Sequence, residues 1–228
     1  MKKYHWLILF AVILIADLIA VYQQNKMAEY FFKPLIVIWL LAYFVSQTGS
    51  IKSNFKKWII AALLFSWLGD VLLMLQDDNS LFFLTGLSSF LVAHIFYILF
   101  FHSIRIKEEI KSRWWLLLTI VVYYTGLITL LSPWLGDMKL PVRIYGIVIS
   151  FMLLLAMHML FIKNKNAGLW MMSGAILFVI SDSVLAINKF YQSFEMGGIL
   201  VMLTYGVAQL FIIEGAIRYI SIKNNFAD

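Results

Sequence analysis

No cysteine occurs among the 228 residues, which removes disulfide frameworks, thiolate metal sites and thiol nucleophiles together. Charge is scarce too: 13% of residues are charged against 63% hydrophobic, a balance foreign to soluble domains. Between the apolar runs no segment exceeds about a dozen residues, so a soluble domain or a long lid has no room. The strict alternation of a membrane barrel strand is missing, as are an HExxH pair, a Gly-rich phosphate loop and a GxSxG elbow.

What is present is a series of long apolar runs from end to end. A helix rising ~1.5 Å per residue crosses a ~30 Å hydrocarbon core in ~20 residues. Lipid offers the backbone no hydrogen-bond partner, so runs of this length select helices. The chain therefore reads as an all-α membrane protein, one polytopic domain over 1–228, with spans near 4–22, 32–47, 57–75, 81–102, 114–132, 141–162, 168–188 and 197–220. The opening MKKYHWLILFAVILIADLIAVY starts like a signal peptide, yet no small-residue cleavage site follows and the run carries Asp17. It is read as a retained span.

The net charge of +6 points to anionic lipid rather than nucleic acid, because the basic residues sit between the spans. Thirteen of the eighteen, among them Lys2, Lys3, Lys52, Arg105, Arg113, Lys163, Arg218 and Lys223, fall on one side if the spans alternate. Lys26, Lys33, Lys139, Arg143 and Lys189 fall on the other. The excess places both termini in the cytoplasm of a multi-pass cell-membrane protein, the cytoplasmic membrane if the source is bacterial.

Spans two and six each open near a proline, Pro34 and Pro141, a residue suited to a helix's first turn. Spans three and seven each carry an aspartate, Asp70 and Asp182, with a glycine sixteen residues on, Gly86 and Gly198. The offsets of 107 and 112 residues fit two parallel four-helix repeats, 1–113 and 114–228, with a site between them. Chance likeness between apolar helices is the alternative.

Charges at membrane depth are costly and mark the first place to look for function. Asp70 and Asp182 both lie roughly 8–9 Å in from their outer span ends, counted at ~1.5 Å per residue, so the two acids can meet. Asp17 lies at similar depth but has apolar neighbours and reads as a packing acid. Glu214 has Arg218 four residues on, a same-face ion pair. In span four, Gly86, Phe90, His94 and Tyr97 share one helix face. Tyr205 and Gln209 share a face of the last span, and Arg143 and Tyr145 sit in the opening turns of the sixth. Each of these also fits an interhelical hydrogen bond or an interfacial anchor. His5, His102 and His158 lie toward span ends and read as structural. Two aspartates and a histidine suit a hard metal, but no helix pairs ligands at metal-site spacing, so no cofactor is assigned.

The segments KPL (33–35), SWLGDVLLML (66–75), GLSSFLVAHIFY (86–97), GAILFVISDSVLA (174–186) and YGVAQLFIIEG (205–215) resemble, in order, the YhhN/TMEM86 family of membrane proteins. The first and fifth spans carry no part of the likeness. The resemblance implies a lysoplasmalogenase, which hydrolyses the vinyl ether of a lysophospholipid to a fatty aldehyde and a glycerophospho-alcohol. It also implies that the family's two acidic positions are Asp70 and Asp182. Protonation at the β-carbon of a vinyl ether gives an oxocarbenium ion that water captures, work for one carboxylic acid and one carboxylate. His94 and Tyr97, with Ser181, Tyr205 and Gln209, are then expected to support the acids or the water. Lys33, Arg143 and Tyr145 are expected to hold the phosphate. The competing readings are a proton-coupled transporter or flippase using the same acids, and a non-catalytic lipid-binding protein.

Overall fold

The computed structural model describes residues 2–76 and 79–222. Eight long helices follow in order: α1 (Lys3–Tyr22), α2 (Lys26–Thr48), α3 (Lys56–Met74), α4 (Ser80–Lys107), α5 (Trp114–Leu131), α6 (Lys139–His158), α7 (Lys165–Ala186) and α8 (Gly197–Ile222). No strand occurs among the described residues. All eight are long and apolar enough to cross a membrane, so the chain is a multi-pass membrane protein. Lys223 lies outside the described residues.

The helices outrun the apolar spans where polar residues cap or snorkel. Asn25 accepts a hydrogen bond from the Ala28 N–H at 3.1 Å, which starts α2 six residues before its apolar run. Asn164 caps α7 in the same way through Ala167. Pro34 is consequently not a first-turn residue: it lies inside α2, where it denies the Tyr30 carbonyl its helical donor. Pro141 does fall in the first turn of α6. Past Ala186, α7 widens into a π-turn over Ile187–Tyr191, a form that tends to appear at functional sites.

α1 and α5 are peripheral. Their outward faces show Ile8, Val12, Ile15 and Ile19, and Leu118, Val121 and Val122, the surface that lipid covers. α8 is central, packing on α7, α2 and α1, while α4 packs on α3 and α6. The α7–α8 contact is the tightest: a Cβ on Gly174 would stand 2.7 Å from the Ile212 amide nitrogen, so only glycine lets these backbones approach. At the Lys- and Arg-rich end, buried Glu214 accepts from Lys3 at 2.6 Å, from Arg218 at 3.4 Å and from the Tyr43 hydroxyl. That cluster ties α1 and α2 to α8.

Candidate active site

At the opposite end, α3 and α7 each bring one carboxyl to a shared cavity of about 100 Å³. Asp70 and Asp182 both line it, as their matched depths predict. Asp70 is 2% exposed. Its helix can come this close because the preceding residue is Gly69, where a Cβ would sit 2.6 Å from the Phe90 ring of α4.

Each carboxyl is held by one tyrosine hydroxyl. Tyr205 on α8 donates to Asp70 Oδ2 at 2.7 Å, and Tyr145 on α6 donates to Asp182 Oδ2. Behind Tyr205 the bonding continues. Gln209 Nε2 donates to the Tyr205 oxygen at 3.4 Å, and the Tyr97 hydroxyl of α4 donates to Gln209 Oε1 at 2.5 Å. All three donors point the same way, from Tyr97 through Gln209 and Tyr205 to Asp70. Such a chain polarises toward its terminal acceptor.

His94 is fully buried one turn from Tyr97. Its Nε2 lies 3.7 Å from Asp182 Oδ2, too far for a hydrogen bond, and its Nδ1 lies 2.6 Å from the Phe90 carbonyl. Ser181 lines the cavity, but its hydroxyl is committed to the Val201 carbonyl of α8 at 2.9 Å. It joins α7 to α8 rather than meeting either acid.

The three expected phosphate ligands separate. Lys33 lines the cavity and bonds Glu29 at 3.2 Å. Tyr145 also lines it, but its hydroxyl serves Asp182. Arg143 is exposed on the other face of α6, where its guanidinium donates to Ser132 at 3.0 Å. It is not among the residues lining the cavity. Another lysine close to the cavity is Lys189, in the π-turn: it donates to Gln76 at 3.0 Å and lies 5.0 Å above the Phe83 ring. Gln76 and Phe83 both line the cavity. In the sequence Lys189 stood out only as one of five basic residues on this side.

Asp17 is the other buried acid at this level. It is 0% exposed, and neither oxygen has a hydrogen-bond partner among the described residues. Its charged neighbours include Lys33, Glu29 and Asp70. Among the described residues no three His, Asp or Glu side chains converge as metal ligands would.

Enclosed carboxyls with tyrosine donors, set below two lysines, suit acid–base chemistry on the head-group end of an amphiphile. Comparison with known proteins agrees. The chain is similar to Lysoplasmalogenase TMEM86B of Rattus norvegicus, 29% identical over 194 residues that cover 85% of this chain and 74% of the relative. It is 31% identical to Lysoplasmalogenase TMEM86B of Homo sapiens over 185 residues, covering 81% and 73%. The Lysoplasmalogenase of Mycobacterium tuberculosis is 28% identical over 163 residues, covering 70% and 60%. No solved structure matches the chain. The profile of the YhhN family matches residues 28–216, which takes in both acids, both tyrosines and all or most of every helix but α1, and the chain belongs to that family.

Proposed function

We propose that this protein is a membrane-embedded lysoplasmalogenase that cleaves the vinyl ether of a lysophospholipid to a fatty aldehyde and a glycerophospho-alcohol. The observation that carries the reading is the pair of carboxyls from two helices on one cavity, each receiving a tyrosine O–H. The names of the relatives support it.

In this reading the acid protonates the β-carbon, and the electrons of the double bond form the new C–H bond. The resulting cation, centred on the α-carbon and ether oxygen, is stabilised by the remaining carboxylate at low local dielectric. That carboxylate then takes a proton as water adds to the α-carbon. Collapse of the hemiacetal breaks the bond from the α-carbon to the bridging oxygen and restores both groups: the leaving oxygen takes back the water-derived proton, while the hemiacetal hydroxyl returns one to the acid. A cavity of about 100 Å³ seats the reacting bond and a water, not a whole lipid, so chain and head group extend beyond it. The phosphate rests at the rim on Lys33 and Lys189. The repeat halves 1–113 and 114–228 each supply one acid.

The test is incubation of purified protein with lysoplasmalogen and with an ester lysophospholipid. Aldehyde from the first and no fatty acid from the second is the expected result. Aldehyde release at the parent rate by correctly inserted Asp70→Asn and Asp182→Asn variants would remove the two acids from the mechanism. The transporter reading has no comparable support, since the relatives bear an enzyme's name.

A further inference from the structure

The two carboxyls are chemically alike, and the neighbour that separates their roles is His94. Its Nδ1 stands 2.6 Å from the Phe90 carbonyl, an oxygen that can only accept, so Nδ1 carries a hydrogen. That leaves Nε2 to face Asp182 Oδ2 at 3.7 Å. Nε2 is buried and has no hydrogen-bond partner among the described residues. The ring cannot readily turn over. Phe178 of α7 packs edge-on against it at 4.7 Å and Tyr145 of α6 at 5.4 Å, and turning would give up the Phe90 bond.

Around this nitrogen and its acid stand several titratable groups, among them Asp70 across the cavity and Tyr123 of α5, which bonds Ser183. Asp182 comes from α7; Tyr145 from α6 already donates to Asp182; Tyr97, on the same helix as His94, already donates to Gln209. If the imidazole were neutral and Asp182 ionised, two lone pairs would face each other inside the protein with no donor for Nε2. A buried acceptor left in that state is costly. A proton on Asp182 removes the repulsion, and it supplies the missing donor once carboxyl and ring close from 3.7 Å to hydrogen-bond distance.

We propose that His94 and Asp182 share one dissociable proton, which makes Asp182 the acid of the pair and Asp70 the base. Asp70 has no such partner: it accepts from Tyr205, at the end of a one-way chain of donors. A chain of donors that ends on Asp70 suits a carboxyl that accepts rather than donates. In the reaction, Asp182 delivers the proton to the β-carbon and recovers one when the hemiacetal collapses, while Asp70 takes the proton of the attacking water and passes it to the leaving oxygen. His94 does not line the cavity, so it is a positioning residue that acts through Asp182. The assignment of roles rests on the vinyl ether reading; the shared proton does not.

The direct test is ¹⁵N NMR of full-length, histidine-labelled protein in detergent micelles near neutral pH, with His94 assigned by the signals missing from His94→Gln. The expected Nε2 signal is that of a nitrogen sharing a proton, moving to the position of a free neutral imidazole nitrogen in Asp182→Asn and staying in place in Asp70→Asn. A free-nitrogen signal in the parent, unmoved by Asp182→Asn, overturns the proposal. Turnover gives the second readout. His94→Gln keeps the side-chain volume and a donor but no ring lone pair, and is expected to lower kcat at least tenfold, with KM within twofold and the acid limb of the pH profile displaced. Adding it to Asp182→Asn should slow that variant no further; a multiplied loss overturns the coupling. A shared-proton spectrum in a protein that releases no aldehyde supports the pair and removes only the substrate reading.

Discussion

Tyr205→Phe deletes one oxygen at the end of the donor chain. The hydroxyl lies 2.7 Å from Asp70 Oδ2 in a buried setting, and a hydrogen bond to a charged group contributes about 1.5–3 kcal/mol. If Asp70 acts as the base, it must be ionised and aimed when water attacks, so this contribution is felt in the transition state. At ~1.4 kcal/mol per tenfold in rate, kcat should fall about 10- to 150-fold. Tyr97→Phe, two bonds further back, is the control. It leaves Gln209 Oε1 without its donor, which costs about 1–3 kcal/mol of stability, while Asp70 keeps its own tyrosine. Its kcat should fall less than that of Tyr205→Phe, since the loss reaches Asp70 only through Gln209 and Tyr205. Aldehyde release from lysoplasmalogen gives the rates, and tryptophan-monitored thermal unfolding in the same detergent gives the stabilities. Equal losses of kcat in the two variants, or a parent rate in Tyr205→Phe, would refute the claim that the chain acts by directing Asp70.

The rim, the orphan acid and the central helix contact give three more tests. Lys33→Ala and Lys189→Ala should each raise KM about 2- to 10-fold, as expected for a contact of about 0.5–1.5 kcal/mol, with kcat little changed; Arg143→Ala, on the other face of α6, should leave both constants alone, and the reverse pattern in steady-state kinetics removes Lys189 from the phosphate site. Asp17→Leu relieves a fully buried carboxyl with no hydrogen-bond partner among the described residues, so the variant should gain about 1–3 kcal/mol and melt several degrees higher. Abolished turnover with intact folding would instead place Asp17 in the chemistry. Gly174→Leu drives carbon into the Ile212 backbone at 2.7 Å and should cost about 1–3 kcal/mol or more, seen as a lower melting temperature; an unchanged melting temperature contradicts the close packing of α7 on α8.

The spans were legible because their signal is local. A run of apolar residues between charges needs no knowledge of its neighbours. Span starts were less legible because caps and snorkelling residues belong to the helix without adding to its hydropathy. Lys26 and Glu29 look like a loop by composition, yet Asn25 nucleates helix beneath them. The same effect misplaced Pro34, which opens the apolar run but not the helix. Asp70 and Asp182 reach one cavity because each helix runs four residues past its acid, to Met74 and to Ala186.

Azimuth around a helix is a different matter from depth. Arg143 and Tyr145 both fall at the outer turns of α6 and both look suited to a phosphate, but two residues along a helix turn the side chain by roughly 200°. They cannot face one cavity together. Val142, Tyr145, Ile149 and Met152 are buried, a 3-4-3 spacing that was readable in advance and sends Arg143 outward. The spacing of Tyr205 and Gln209 was likewise readable, whereas their joining to Tyr97 depends on α4 and α8 meeting deep in the bundle, which no local pattern encodes. The chemistry of the site therefore divides along the same line. Which acids are present follows from the sequence, but which of them holds the proton follows from neighbours brought by other helices: for Asp182 a histidine locked by its own carbonyl contact, and for Asp70 a tyrosine at the end of a chain of donors. A single rotation of α4 that moved His94 away from Asp182 would leave every motif in the sequence intact and remove the distinction between the two carboxyls.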